Sequence, residues 1–195
     1  MKKIFEMVDF KIHKENLYAV FALIFSVIFI KIFNLESIPE NSVLENIQLV
    51  ALFGGFVVCL FTKKYKVFYT FLAMLLFLMI ARELSYGRAI FGRIPGTVDQ
   101  FYTWSHYKYG YLAHIIVGIY IATSVLYALI KKIWVDVIEM VKNVKFPVWT
   151  FLASFACVFI QIYSEKYLHN SCIEETAEFV LYCLILALIL IYRKK

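Results

Sequence analysis

The residues able to do chemistry gather in one stretch, 161–178, reading QIYSEKYLHNSCIEETAE between two long apolar runs. Gln161, Glu165 and His169 recur at i, i+4 and i+8, so a continued helix places them on one face. Past a turn at Asn170 and Ser171, Glu174 and Glu178 are again four apart, with Glu175 between them. Divalent metals of the zinc, iron and manganese group take histidine and carboxylate ligands. Two donor pairs, Glu165/His169 and Glu174/Glu178, on adjacent helices therefore predict a site for such an ion, with His114 and Glu83 able to complete its shell. Paired carboxylate and histidine ligands build the carboxylate-bridged centres of helical bundles, although the Glu-x-x-His spacing of those centres is absent here. Water on such a metal becomes a nucleophile near neutrality. Glu83, Glu165 and Glu178 are then the candidate catalytic groups. Arg82 and Arg88 would hold an anionic substrate group, with Tyr86 beside them.

Each of these residues also has a plainer role. Glu174 and Glu175 complement the dipole of a helix start, and Asn170 or Ser171 would cap it. Arg82 next to Glu83 forms an interfacial ion pair as readily as a substrate clamp. Glu178 is harder to explain this way. It lies a turn deeper, where an ionisable side chain costs at least about 3 kcal/mol unless it has a partner.

The elements that must position these groups are membrane spans. Hydrophobic residues make up 63% of the 195 and charged ones 17%, against about half and a quarter in soluble domains. The apolar excess is gathered into runs at about 17–33, 43–61, 67–83, 111–130, 147–165 and 174–192. The predicted fold is all-α: one six-helix transmembrane bundle over 1–195, with no linker or repeat suggesting a second domain. In the second span, Glu45, Gln48, Leu52 and Gly55 make a polar start and a small-residue face for close approach. Residues 1–16 space Ile4, Phe5, Val8 and Ile12 for a short interfacial helix. Residues 131–146 read as a second interfacial amphipathic helix, with Trp134, Val137, Ile138 and Val141 on its apolar face. The segment 82–110 is too polar to span; its tyrosines and Trp104 predict an ordered aromatic loop at the membrane surface.

Six spans put both termini on one side. The tails, the loop 62–66 and the segment 131–146 hold 14 Lys/Arg and 5 Asp/Glu, whereas the other side holds 5 and 9. The excess of lysine and arginine places both termini in the cytoplasm of a cell whose inner (plasma) membrane the chain crosses, and the carboxylate layer outside. The same distribution assigns the net charge of +6 to the membrane surface rather than to nucleic acid. Cysteine adds no CxxC pair, and no Walker loop, GxSG or HExxH signature is present.

The segments RELSYGRAIFGRIPG and SEKYLHN resemble a group of uncharacterised bacterial integral membrane proteins with an EEISWGQR-like and an ExNLHN-like segment. Glu83, Ser85, Tyr86, Gly87, Glu165, Leu168, His169 and Asn170 match; Arg82 stands for an acid and Arg88 for an amide. The resemblance marks positions and implies no activity. The leading functional expectation is a metal-dependent enzyme acting at the outer face on a lipid or lipid-linked substrate. The alternatives are a cation- or proton-coupled transporter or channel, whose path an oligomer could complete, and a non-catalytic partner or sensor subunit. The inner halves of the spans carry few polar residues, chiefly Thr123, Ser124 and Ser154, which weighs against a path through one chain.

Overall fold

A computed structural model describes residues 8–35, 43–87, 94, 102–108 and 110–193. Among the described residues the apolar runs fold as helices: α1 (Leu17–Ile32), α2 (Val43–Phe61), α3 (Lys66–Glu83), α4 (Tyr111–Ile130), α6 (Val148–Tyr163) and α7 (Ser171–Arg193). The amphipathic α5 (Ile133–Asn143) lies between α4 and α6. Five helices are long and apolar enough to cross a membrane, two of them counted with an adjoining turn (Lys14–Ile32 and Val148–Leu168). The sixth expected span, α3, is 18 residues long and carries Lys66, Arg82 and Glu83 at its ends.

The bundle is built around α7. It packs against α1, α2 and α6, while α2 also packs on α3, and α3 carries α4 and α5. Half of α7 is buried inside the protein, against 6% of α4. The sequence of α7 explains this place. Ala177, Cys183 and Ala187 let neighbouring backbones approach, and Phe179, Leu184, Ile189 and Ile191 fill the remaining space. On α2 the buried stripe is Leu44, Gln48, Leu52, Gly55 and Cys59, the small-residue face read from the sequence. A Cβ added to Gly55 would come 3.2 Å from Ile189 Cδ1 and 3.5 Å from Leu76 Cδ1, so α2, α3 and α7 meet there.

The end of the bundle opposite the carboxylates is closed by α5 and by the chain before α1. Asp136 of α5 accepts a hydrogen bond from the Phe68 N–H at 3.0 Å, satisfying a donor of the first turn of α3. Met140 and Val144 are buried, while Trp134, Ile138 and Val141 stay exposed, as on a helix lying in an interface. The interfacial helix expected before residue 16 is not formed in its described part. Val8–Asp9 (β1) instead pairs in parallel with Phe146–Pro147 (β2). The Asp9 carboxylate accepts the Lys11 N–H at 3.0 Å, a local turn that competes with helix. Trp149 Nε1 donates to the Phe10 carbonyl, and Thr150 Oγ1 to Asn16 Oδ1, both at 2.9 Å. These bonds hold the start of α6 against the entry to α1.

Candidate functional site

The residues at the carboxylate end are set by how α6 and α7 join. The i, i+4, i+8 alignment of Gln161, Glu165 and His169 needs an unbroken α-helix, and the helix is broken. Residues Ser164–Leu168 form a π turn, and His169 turns left-handed at φ 48°. A π turn carries more residues per turn and shifts the register, so the three side chains no longer share a face. The turn is fixed by Ser164 Oγ donating to the Asn170 carbonyl at 2.7 Å. Asn170 Oδ1 in turn accepts the Ile173 N–H at 3.1 Å, the helix cap expected from the sequence. Glu165 and His169 are both exposed.

The acids of α7 meet different partners. Gln48 Nε2 of α2 donates to the Glu175 carboxylate and to the Glu175 carbonyl, both at 3.1 Å. One turn on, Glu178 is buried and receives Arg82 Nη2 from the last turn of α3. Arg82 also holds Glu83 Oε1 through Nη2 at 2.8 Å and Nε at 3.1 Å. Tyr182, four residues beyond Glu178, completes the group. Its hydroxyl accepts from Arg82 Nη2 at 2.8 Å and lies 2.8 Å from Glu83 Oε1 and in contact with Glu178 Oε1. The Glu83 and Glu178 side chains are 9% and 7% exposed, whereas that of Arg82 is 54% exposed. Two sequestered carboxylates thus share one cation whose outer edge stays accessible.

Counting hydrogens defines what this network can do. A phenol carries one O–H and cannot donate to two carboxylates at once. Nη2 carries two hydrogens and faces three acceptors, Glu83, Glu178 and Tyr182. The charges leave one negative unit over from Arg82, Glu83 and Glu178. The three hydrogens of Nη2 and the phenol are therefore shared among five close contacts, and the carboxylates outnumber the cation.

Beyond Glu83 the chain turns sharply through the 3₁₀ turn Ser85–Gly87, with Ser85 at φ 47° and Tyr86 at φ 54°. Two successive non-glycine residues in the left-handed region store about 1–3 kcal/mol each, a strain that collects at working sites. The turn directs Tyr86 into a cavity of about 500 Å³ shared with Trp104, Thr103, Ser105, His114 and Val117. His114 is an exposed residue of α4 on that cavity wall. Above it, Tyr102 and His106 stack with ring centroids 4.1 Å apart. Arg88 and most of the aromatic loop, residues 88–93 and 95–101, lie outside the described residues.

The structure therefore brings together Arg82, Glu83 and Glu178, and places Tyr86 and His114 on one cavity. It does not gather Glu165, His169, Glu174 and Glu178 into one cage. Among the described residues no group of three or more His, Cys, Asp or Glu is placed to hold a metal ion. Glu174 does have Glu165, Glu178 and Arg82 as charged neighbours. Sequence reasoning missed Tyr182, although one signal was available: Glu178 and Tyr182 are i, i+4 on one predicted helix. No family model, curated protein or solved structure matches the chain. Its functional reading rests on this geometry.

Proposed function

We propose that the chain is a six-span protein of the inner membrane that works at its carboxylate end. In this reading that end faces outward, as the lysine and arginine distribution favours. The cavity walled by Tyr86, Trp104 and His114 receives an amphipathic, lipid-like substrate. Arg82 offers its exposed edge to an anionic group of that substrate, and the Glu83–Tyr182–Glu178 chain supplies or takes a proton. The observation that carries this reading is the Arg82 network itself: Glu83 and Glu178, each less than a tenth exposed, share one half-exposed guanidinium and lie on either side of the Tyr182 hydroxyl.

Chemistry at a surface is favoured over translocation by what lies beneath the network. Leu52, Cys59, Ala73, Leu76 and Ile189 pack as an apolar cluster between α2, α3 and α7. Among the described residues that cluster adds the Tyr65 and Tyr69 hydroxyls but no carboxylate or histidine. The test is turnover of fluorescent phospholipids and lipid-linked phosphates by protein reconstituted in liposomes. Hydrolysis or transfer by the parent, reduced at least about tenfold in Tyr182→Phe that still folds, is the expected result; a proton-transfer group contributes about 10²–10⁴-fold. Proton or cation flux without turnover would replace this reading by the transporter.

A divalent cation is a second reading, favoured by the placement of Glu174 near both Glu165 and Glu178. A cation there would relieve repulsion among three acids. Inductively coupled plasma mass spectrometry of the purified protein, beside Glu165→Ala, His169→Ala and Glu178→Ala, decides it. Stoichiometric zinc, iron or manganese lost in the variants supports the ion, and its absence after metal is added back removes it.

A further inference from the structure

From the opposite end of the bundle, a groove of about 410 Å³ runs between α3, α5 and α7 as far as Met79 and Ile185, one turn short of Arg82 and Tyr182, and the carboxylate chemistry does not use it. Its walls are almost wholly apolar: Leu72, Leu76 and Met79 from α3, Ile185 and Leu188 from α7, and Val141 from α5. On α3 the lining runs from Phe68 to Met79, about 17 Å at 1.5 Å per residue. Half of a hydrocarbon core about 30 Å thick is about 15 Å, so the groove is as deep as one leaflet. An extended acyl chain fits that depth.

Two further observations point to what heads the chain. Tyr69 lines the groove one turn from the start of α3, is 1% exposed, and its hydroxyl has no hydrogen-bond partner among the described residues. A buried phenol without a partner costs about 1–3 kcal/mol, and an ester carbonyl at the depth of the lipid backbone would remove that cost. Lys142 and Lys145 lie in the chain between the lining residues Val141 and Phe146, and Arg193 follows the lining Tyr192; all three cations are exposed. The nearest acids of α5 are turned to other work or outward: Asp136 caps α3 and Glu139 is exposed.

We propose that this groove is a binding site for one acidic phospholipid, with an acyl chain between α3 and α7 under α5 and the phosphate among Lys142, Lys145 and Arg193. The site is independent of the function assigned to the carboxylate end. Basic residues next to a membrane surface attract acidic headgroups by about 1 kcal/mol each, and the groove turns that general attraction into a fixed position.

Photocrosslinking in nanodiscs tests it, using phosphatidylglycerol with a diazirine midway along one acyl chain and phosphatidylcholine with the same chain. The expected result is label concentrated on the peptides holding Leu72–Met79 and Ile185–Leu188, above the level on the lipid-facing Ile116 and Ile119 of α4. It should be stronger for phosphatidylglycerol and lost in Leu188→Trp and Val141→Trp, which fill the groove from two walls. Label spread evenly over the bundle, or unchanged in both filled variants, overturns the site. Equal labelling by the two lipids overturns its acidic headgroup. Should either variant not fold, the map of the parent protein alone decides.

Discussion

Arg82 holds together groups that would otherwise repel. Its guanidinium neutralises two carboxylates that are less than a tenth exposed, and removing it leaves both without a cation. Breaking a buried pair from one side costs about 3–5 kcal/mol, and the hydration of Arg82's outer edge puts Arg82→Gln near the lower limit, about 3 kcal/mol. Adding Glu178→Gln should restore part of that loss, since the double variant removes the stranded charge along with its partner. Thermal unfolding in detergent, followed with a thiol-reactive dye on the buried Cys59, Cys157, Cys172 and Cys183, reads both values. Equal midpoints for parent and Arg82→Gln would show that the network does not hold. At this scale the sequence was partly legible. Glu178 stood out because an acid a full turn inside an apolar run needs a partner, and Arg82 and Glu83 because they end one. Their meeting was not legible: Arg82 and Glu178 lie 96 residues apart, and nothing local specifies which helix faces which.

Among the elements, helix periodicity and apolar runs gave the helices well, five of them long and apolar enough to cross a membrane, because lipid leaves the backbone few choices but helix. The failures came where a single turn chose another geometry. The Ser164–Leu168 π turn and the left-handed His169 break a register that side-chain spacing alone cannot reveal. The segment before α1 followed a helical pattern in Val8 and Ile12, but pairing with Phe146–Pro147 and the Asp9 turn prevailed. The Gly54–Gly55 pair on α2 offers a test of packing with its own control. A side chain at Gly55 meets α3 and α7, whereas one at Gly54 meets nothing within 4 Å. Gly55→Leu is expected to destabilise by about 1–3 kcal/mol, as overpacking does, and Gly54→Leu to lie near the parent. The same unfolding assay compares them, and equal effects would mean that α2 does not approach α7 on this face.

For the whole molecule the open question is how the bundle sits in its membrane. Single cysteines at Lys63 and Asn143, in a background with the native cysteines replaced, are expected to react with an impermeant maleimide only after the cells are opened. Ser105→Cys and Lys166→Cys are expected to react from outside. Labelling of all four positions from one side would rule out six crossings. The legible part at this scale was the charge asymmetry, which composition states directly. The illegible part was the unequal sharing of contacts, with α7 central and α4 peripheral, because both helices read as apolar from the sequence.

That unequal sharing has a consequence for how the protein comes into being. The helix that α1, α2 and α6 all pack against follows them and the other described helices in the chain, so it leaves the ribosome after them. While it is missing, Arg82 has only Glu83 of its present partners, Gln48 lacks Glu175, and Gly55 keeps Leu76 of α3 but not Ile189. The earlier helices can enter the bilayer singly, each satisfied by its own backbone bonds, and of the most extensive helix–helix contacts only that of α2 on α3 forms without α7. Assembly is therefore a late, concerted event, with the same helix serving as keystone of the bundle and bearer of its acids. A chain that has not yet made its site has not yet made its fold.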